Sequence, residues 1–251
     1  MSIPGLRSLL VTMDQSVTPL GVALGAGIFQ IWRPTSCATL MGRSGEPLVP
    51  AWYENALRDA WATAVARLDD EARRMGAHGV LGTTVTQQWL VEGSTLQVEL
   101  RGAAVRLEGE PALGRPFLST LSMQSFLKLL IGGWVPTGIA WGVSAVHVHG
   151  YDASPLLEGT ALSNAEMAVP TAGVLLTRGR LEAQARATLA ACGAEGGVGM
   201  TLEMERRPQG CGGGKGVLIE GLMLGTGVVR YRPSLATASL ARDLAKEGRR
   251  P

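Results

Sequence analysis

The chain is expected to fold as an α+β protein of two tandem β-α-β-β units, each a small antiparallel sheet covered by one long amphipathic helix. Three observations lead there. Pro19-Leu-Gly-Val-Ala-Leu-Gly25 reappears as Pro136-Thr-Gly-Ile-Ala-Trp-Gly142, and Met75-Gly-Ala-His-Gly-Val-Leu-Gly82 as Cys192-Gly-Ala-Glu-Gly-Gly-Val-Gly199, both at an offset of 117. Leu57, Ala60, Trp61, Ala64, Val65, Leu68, Ala72 and Met75 recur at spacings of three and four, the stripe of an amphipathic helix. After each such helix come apolar, glycine-punctuated runs of strand type. The offset divides the chain into residues 1–112, residues 113–233 and a tail, 234–251.

In the first unit an extended segment, Leu9–Thr12, precedes a strand over Val22–Trp32. Arg33-Pro-Thr and Gly42-Arg-Ser-Gly-Glu-Pro47 break the pattern as loop. The helix runs from Ala51 to Met75, with Arg58, Arg67, Asp69, Asp70, Arg73 and Arg74 off the apolar stripe. Gly76 stands where a left-handed C-terminal cap is needed. Strands over His78–Trp89 and Thr95–Leu107 follow, joined by a turn at Val91-Glu-Gly-Ser94.

The second unit opens with a short helix, Ser122–Ile131, ending at Gly132-Gly133. A strand over Thr137–His149 and a loop holding Pro155 and Gly159 come next. The main helix runs from Pro170, a favoured first-turn residue, to Cys192, with Gly193 as cap. Val174, Leu181, Ala185, Leu189 and Cys192 take the places of Leu57, Ala64, Leu68, Ala72 and Met75. Strands over Gly197–Glu205 and Gly216–Arg232 close the unit. A three-stranded sheet under one helix leaves a face or edge needing cover, so pairing between units or chains is expected. The tail has Leu235, Leu240 and Leu244 on a weak helical stripe; it packs on the body, docks a protein partner or frays.

Composition narrows the function classes. The 23 basic and 21 acidic residues nearly balance, so there is no basic footprint for nucleic acid. The three cysteines (Cys37, Cys192, Cys211) lie far apart without CxxC spacing, which fits a reducing compartment. The first residues lack a basic segment followed by an apolar core, so a cytoplasmic protein is expected. Leu129–Tyr151 carries no Asp, Glu, Lys or Arg, but Pro136 and its glycines favour a buried strand over a membrane span.

Gly42-Arg43-Ser44, Tyr53-Glu54, the Leu57/Ala60/Ala64/Leu68 face, Met75–Gly82, and the endings Arg101-Gly-Ala-Ala-Val105 and Leu224-Gly-Thr-Gly-Val228 resemble the YbjQ-like family, often labelled a heavy-metal-binding domain. Phe117–Phe126 through Gly142 also resembles two-copy bacterial relatives. The resemblance implies β-α-β-β units assembling into cyclic homo-oligomers, pentamers among single-copy members. It also implies a divalent heavy metal ion as the candidate cofactor. The second unit lacks the Arg-Ser loop and has Asn164-Ala-Glu-Met in place of the Tyr-Glu pair, so a property of that loop belongs to the first unit.

Candidate chemistry is sparse. His147 and His149 lie two apart on a strand and project from one face, half of a metal site; their first-unit counterparts are Gln30 and Trp32. The other account is that both are partly exposed strand residues in the gap between the units. Cys192 takes a core position, where cysteine acts as a small hydrophobe, and Cys37 falls in a loop. Cys211 sits in Gln209-Gly-Cys-Gly-Gly-Gly-Lys215-Gly, which lacks the Ser/Thr and the following helix of a phosphate loop and reads as a flexible hairpin. His78 is expected at the surface or in a cap, and Asp69-Asp70-Glu71 on a solvated helix face. Arg43 and Ser44 are the candidate loop for a partner or anion in a ring of subunits, with a plain glycine-rich turn as the other account. No Ser/His/Asp set or nucleophile elbow is present. The residues therefore point to a non-enzymatic, self-associating binding or assembly protein. The alternative is a heavy-metal-ion-binding protein using His147, His149 and a cysteine.

Overall fold

A computed structural model describes residues 17–34, 46–91, 93–107, 115–151, 166–211 and 214–230. Its elements run β1 (Val17–Gln30), β2 (Pro47–Leu48), α1 (Ala51–Arg74), β3 (Gly79–Val91), β4 (Thr95–Leu107), β5 (Phe117–Leu118), α2 (Met123–Ile131), β6 (Trp134–Tyr151), α3 (Ala168–Ala191), β7 (Gly196–Cys211) and β8 (Gly214–Arg230). The fold is α+β, with two four-stranded sheets ordered β1-β4-β3-β5 and β2-β6-β8-β7. Within each sheet the three long strands are antiparallel; β5 joins the first in parallel and β2 joins the second antiparallel.

The helix stripe buries as the periodicity predicts: Leu57, Ala60, Trp61, Ala64, Leu68 and Ala72 are all buried, together with Tyr53 and Glu54. Gly25 is why α1 lies so close to β1, since a Cβ there would stand 2.2 Å from the Ala64 carbonyl oxygen. Gly142, 117 positions on, lets α3 approach β6 in the same way, with a Cβ 2.7 Å from the Leu181 carbonyl oxygen. Gly76 and Gly193 end the two helices at φ 65° and 69°, a left-handed conformation cheap only for glycine.

The layers follow from strand alternation. Successive side chains of β6 point to opposite faces. Gly142 meets α3, while its neighbour Trp141 stacks on Trp61 of α1. The second sheet therefore has α3 on one face and α1 on the other, and α1 is held between the two sheets. One apolar cluster draws on both sheets: Ala23, Leu96, Val98 and Leu100 from the first, Ile139, Val143, Ala145 and Leu218 from the second.

Several boundaries differ from expectation. β1 starts at Val17, running through Pro19, because Pro19 lies on an edge strand at a bulge that continues to Gly21 (φ 138°). β6 likewise extends the expected strand at both ends and bulges between Pro136 and Gly138. α3 starts at Ala168, so Pro170 falls third in the first turn, where its missing N–H still costs nothing. The glycine-rich stretch expected as a flexible hairpin is largely ladder: Gln209 pairs with Gly216, Gly210 with Lys215 and Cys211 with Gly214. The sheets have four strands rather than three because β2 and β5 each add a two-residue edge. Leu9–Thr12, Pro155, Gly159 and the tail at 234–251 lie outside the described residues.

Candidate functional site

The polar groups of the described residues gather where α1 meets the second sheet. β6 is the edge strand beyond the short β2 pairing, and its outward N–H groups need partners. Three side chains supply them: Thr188 Oγ1 accepts from Trp141 N at 3.0 Å, Gln184 Oε1 from Val143 N at 3.0 Å, and Glu54 Oε2 from Ala145 N at 3.4 Å. Two of these come from α3 and one from the first turn of α1, so both helices clasp the same edge.

Glu54 is the centre of that clasp. It is 1% exposed and accepts from Ser144 Oγ at 2.7 Å, from Arg180 Nε at 3.0 Å and from a second Arg180 nitrogen. Burial pushes its carboxyl up, but the Arg180 and Ser144 hydrogen bonds outweigh that and hold it below the ordinary value of about 4.5. These bonds join α1, β6 and α3.

A second buried cluster surrounds Glu220 of β8. Tyr53 donates its hydroxyl to Glu220, and Arg33 pairs with the same carboxylate. Arg33 also lies 4.8 Å over the Trp89 ring, and Trp89 stacks on Tyr53. Burial, then the Glu220 charge, keeps the Tyr53 hydroxyl protonated far above the usual phenol range. Gln209 Nε2 donates to the Pro34 carbonyl at 3.0 Å, extending this contact along β7. These residues bridge α1, β8 and the segment after β1.

His147 and His149 do share a face, with ring centroids 6.1 Å apart. Contrary to the partly exposed alternative, His147 is fully buried, and desolvation, then the His149 charge, holds it below the usual histidine value. No group of three or more His, Cys, Asp or Glu suited to a metal occurs among the described residues. Cys192 is a half-exposed free thiol rather than a core residue. It accepts from Thr137 Oγ1 at 3.3 Å and donates to the Leu189 carbonyl at 3.2 Å. Arg43, Ser44 and Cys37 lie outside the described residues, as does the Cys211 side chain.

Of the two places expected for His78 the surface is excluded, and the surface expectation for Asp69 is corrected. His78 is 5% exposed, because its Nδ1 accepts from Leu107 N at 3.0 Å and so ties the end of β4 to the helix cap. Asp69 is 2% exposed, paired with Arg73 and with Arg115. Only Asp70 of that acidic triplet is well exposed. The consecutive carboxylates do fan out, and the fan turns one of them inward.

Together these features define an α+β protein in which two helix-covered sheets are joined through a shared helix. Residues 48–108, from β2 to the end of β4, match the YbjQ family model, described as "Putative heavy-metal-binding". The chain is 36% identical over 58 residues to a UPF0145 protein of Clostridium tetani, a stretch covering 23% of this chain and 55% of that protein. It is 41% identical over 56 residues to a UPF0145 protein of Thermus thermophilus, covering 22% of this chain and 48% of that one; a second strain of the same species has a relative with the same figures. The chain thus spans about half the length of the curated relatives it matches.

The matched segment fits a heavy metal poorly. It contains no cysteine, and His78 is its one histidine. The His78 Nδ1 is occupied by a backbone N–H, and the buried carboxylates of Glu54 and Asp69 are occupied by arginines. Soft and borderline metals are held by thiolates and imidazoles, usually three or four together. His147 and His149 lie outside the segment that matches.

Proposed function

We propose that this chain is a non-enzymatic assembly module of two tandem β-α-β-β units, residues 1–112 and 113–233, and that it closes into a homo-oligomer through the surfaces those units leave uncovered. The tandem reading is supported by matched geometry at the 117-residue offset. Gly25 and Gly142 admit the helices, Gly82 and Gly199 adopt φ 61° and 60°, and register shifts follow Leu81 and Val198.

The observation that carries the proposal is the contrast between two equivalent sheet faces. Ile139, Trp141 and Ala145 of β6 are buried beneath α1. Their counterparts on β1, Val22, Leu24 and Ile28, are 70%, 49% and 65% exposed. The outer side of α3 is the other unmatched half, exposing Leu175 and Leu176. A helix-on-sheet contact is heterologous, so repeating it between chains generates a ring when the rotation closes.

Size-exclusion chromatography with light scattering tests this on the full chain. A single species of defined multiple mass is expected. Val22→Lys with Ile28→Lys lowers that mass without changing the circular dichroism spectrum. A wild-type monomer at every accessible concentration overturns the proposal.

The alternative, a heavy-metal-ion site using His147, His149 and a cysteine, has the shared strand face in its favour. Elemental analysis of protein purified without chelator decides it. A genuine site holds near one equivalent and loses it in the His147→Ala/His149→Ala variant; a content below about 0.1 equivalent in both rules it out.

A further inference from the structure

A cleft of about 270 Å³ opens between α1, the segment leading into β5, the start of β6 and the end of α3. Its walls are apolar: Val65, Leu118, Ile139 and Trp141. Its charged lining is a single pair, Asp69 and Arg115. Ligand sites are commonly concave, mostly apolar and furnished with a few convergent polar groups. The small volume restricts the occupant to a compact molecule.

The placement of Arg115 selects its charge. Asp69 has a side chain only 3% exposed, and one of its oxygens is taken by Arg73. Arg115 approaches the other with Nε at 3.5 Å, while its own side chain is 63% exposed. Arg73 also pairs with Asp70 at 3.2 Å, so the charges balance, and Arg115 is the one cation that lines the cleft. The bond to Nε also holds Arg115 at the cleft by one side of its planar fork, with its terminal nitrogens suited to a bidentate anion. The nearby Cys192 thiol and Thr137 hydroxyl are engaged with each other and with the Leu189 carbonyl, so they add no charge demand.

We propose that this cleft binds a small organic carboxylate, with its apolar body against Val65, Leu118, Ile139 and Trp141 and its carboxylate on Arg115. Asp69 positions Arg115 and does not touch the ligand.

Benzoate and butyrate are the probes, with benzyl alcohol and benzylamine as the neutral and cationic counterparts, titrated calorimetrically into the full chain. Saturable binding of benzoate is expected, stronger than that of benzyl alcohol, with benzylamine weakest. Arg115→Ala, whose residue is exposed and whose fold is checked by circular dichroism, weakens benzoate by at least about tenfold, the scale of a charge-assisted pair. Arg115→Lys retains part of that affinity. Because Cys192 lines the cleft, benzoate also slows its alkylation by iodoacetamide, read by peptide mass spectrometry. Absence of saturable benzoate binding, an Arg115→Ala variant that binds as well as wild type, or a preference for benzylamine each overturns the proposal.

Discussion

The indole of Trp61 on α1 stacks on that of Trp141 on β6, with centroids 5.9 Å apart and planes 25° from parallel. A residue from the helix of the first sheet is therefore part of the core of the second. Trp61 is fully buried, and its indole N–H is satisfied by Gln87 of β3 at 2.8 Å. It spans all three layers: the first sheet, the helix and the second sheet.

Trp61→Ala is accordingly expected to cost about 3–5 kcal/mol, the range for truncating a large buried aromatic. It also leaves the Gln87 amide without its partner. Urea unfolding followed by far-ultraviolet circular dichroism checks the value, and Trp61→Phe separates the packing loss from the hydrogen bond. A cost below about 1 kcal/mol for the alanine variant would mean that the two sheets do not share a core.

The helix approach distances make a second prediction. Gly25→Ala places a Cβ against helix backbone, 2.2 Å from the Ala64 carbonyl oxygen, and Gly142→Ala places one 2.7 Å from that of Leu181. Neither partner is the flexible end of a side chain, so α1 or α3 must lift from its sheet. Each variant is expected to lose about 1–3 kcal/mol or more. Gly179→Ala on α3 is the control: a Cβ there would meet nothing within 4 Å, and removing a helical glycine stabilises by up to about 1 kcal/mol. Thermal melts should move in opposite directions for the two classes.

Glu54 predicts a pH dependence. Its carboxyl is held below about 4.5 in the folded chain. The folded state therefore binds the proton less readily than the unfolded state, and the stabilisation is fully present above the unfolded value. It is lost as pH falls through the lower folded value. In Glu54→Gln this limb disappears. Above the ordinary value of about 4.5 the wild type should be the more stable of the two, with the gap closing as pH falls through the depressed folded value. Parallel denaturation curves across that window provide the check; a gap that stays constant would show that Glu54 remains charged, or remains neutral, throughout.

What the sequence makes legible is what depends on near neighbours. Leu57 to Ala72 mark the buried side of α1, Gly76 and Gly193 mark the helix ends, and β4 occupies Thr95–Leu107 as expected, because periodicity, caps and turns are local devices. The turn at Val91–Ser94 closes with the Ser94 N–H on the Val91 carbonyl at 3.0 Å. The two-residue strands β2 and β5 carry no such signal, since each exists only through pairing with a partner distant in sequence. Glu54 and Asp69 look like ordinary acidic helix residues until Arg180 and Arg115 arrive from 126 and 46 positions away. The Tyr53–Glu220 contact joins residues 167 apart. One clue was available at the Tyr53-Glu54 dipeptide, where a phenol and a carboxylate stand side by side at the start of an apolar helix.

The Arg33–Glu220 pair carries the last prediction. Both side chains are nearly buried, at 8% and 9% exposed, and both belong to a cluster that includes Tyr53 and Arg207. Removing Arg33 leaves Glu220 with Tyr53 and Arg207, and removing Glu220 leaves Arg33 with the exposed Glu205. Arg33→Met or Glu220→Leu alone is therefore expected to cost less than the about 3–5 kcal/mol of a fully unpaired buried charge, and still more than about 1 kcal/mol. Removing both leaves no buried charge from the pair, and the apolar replacements still fill the space beside Trp89. The double variant should therefore be destabilised by clearly less than the sum of the singles. A double-mutant cycle of urea unfolding free energies measures that difference directly. Additive costs would mean that the two groups do not act on one another.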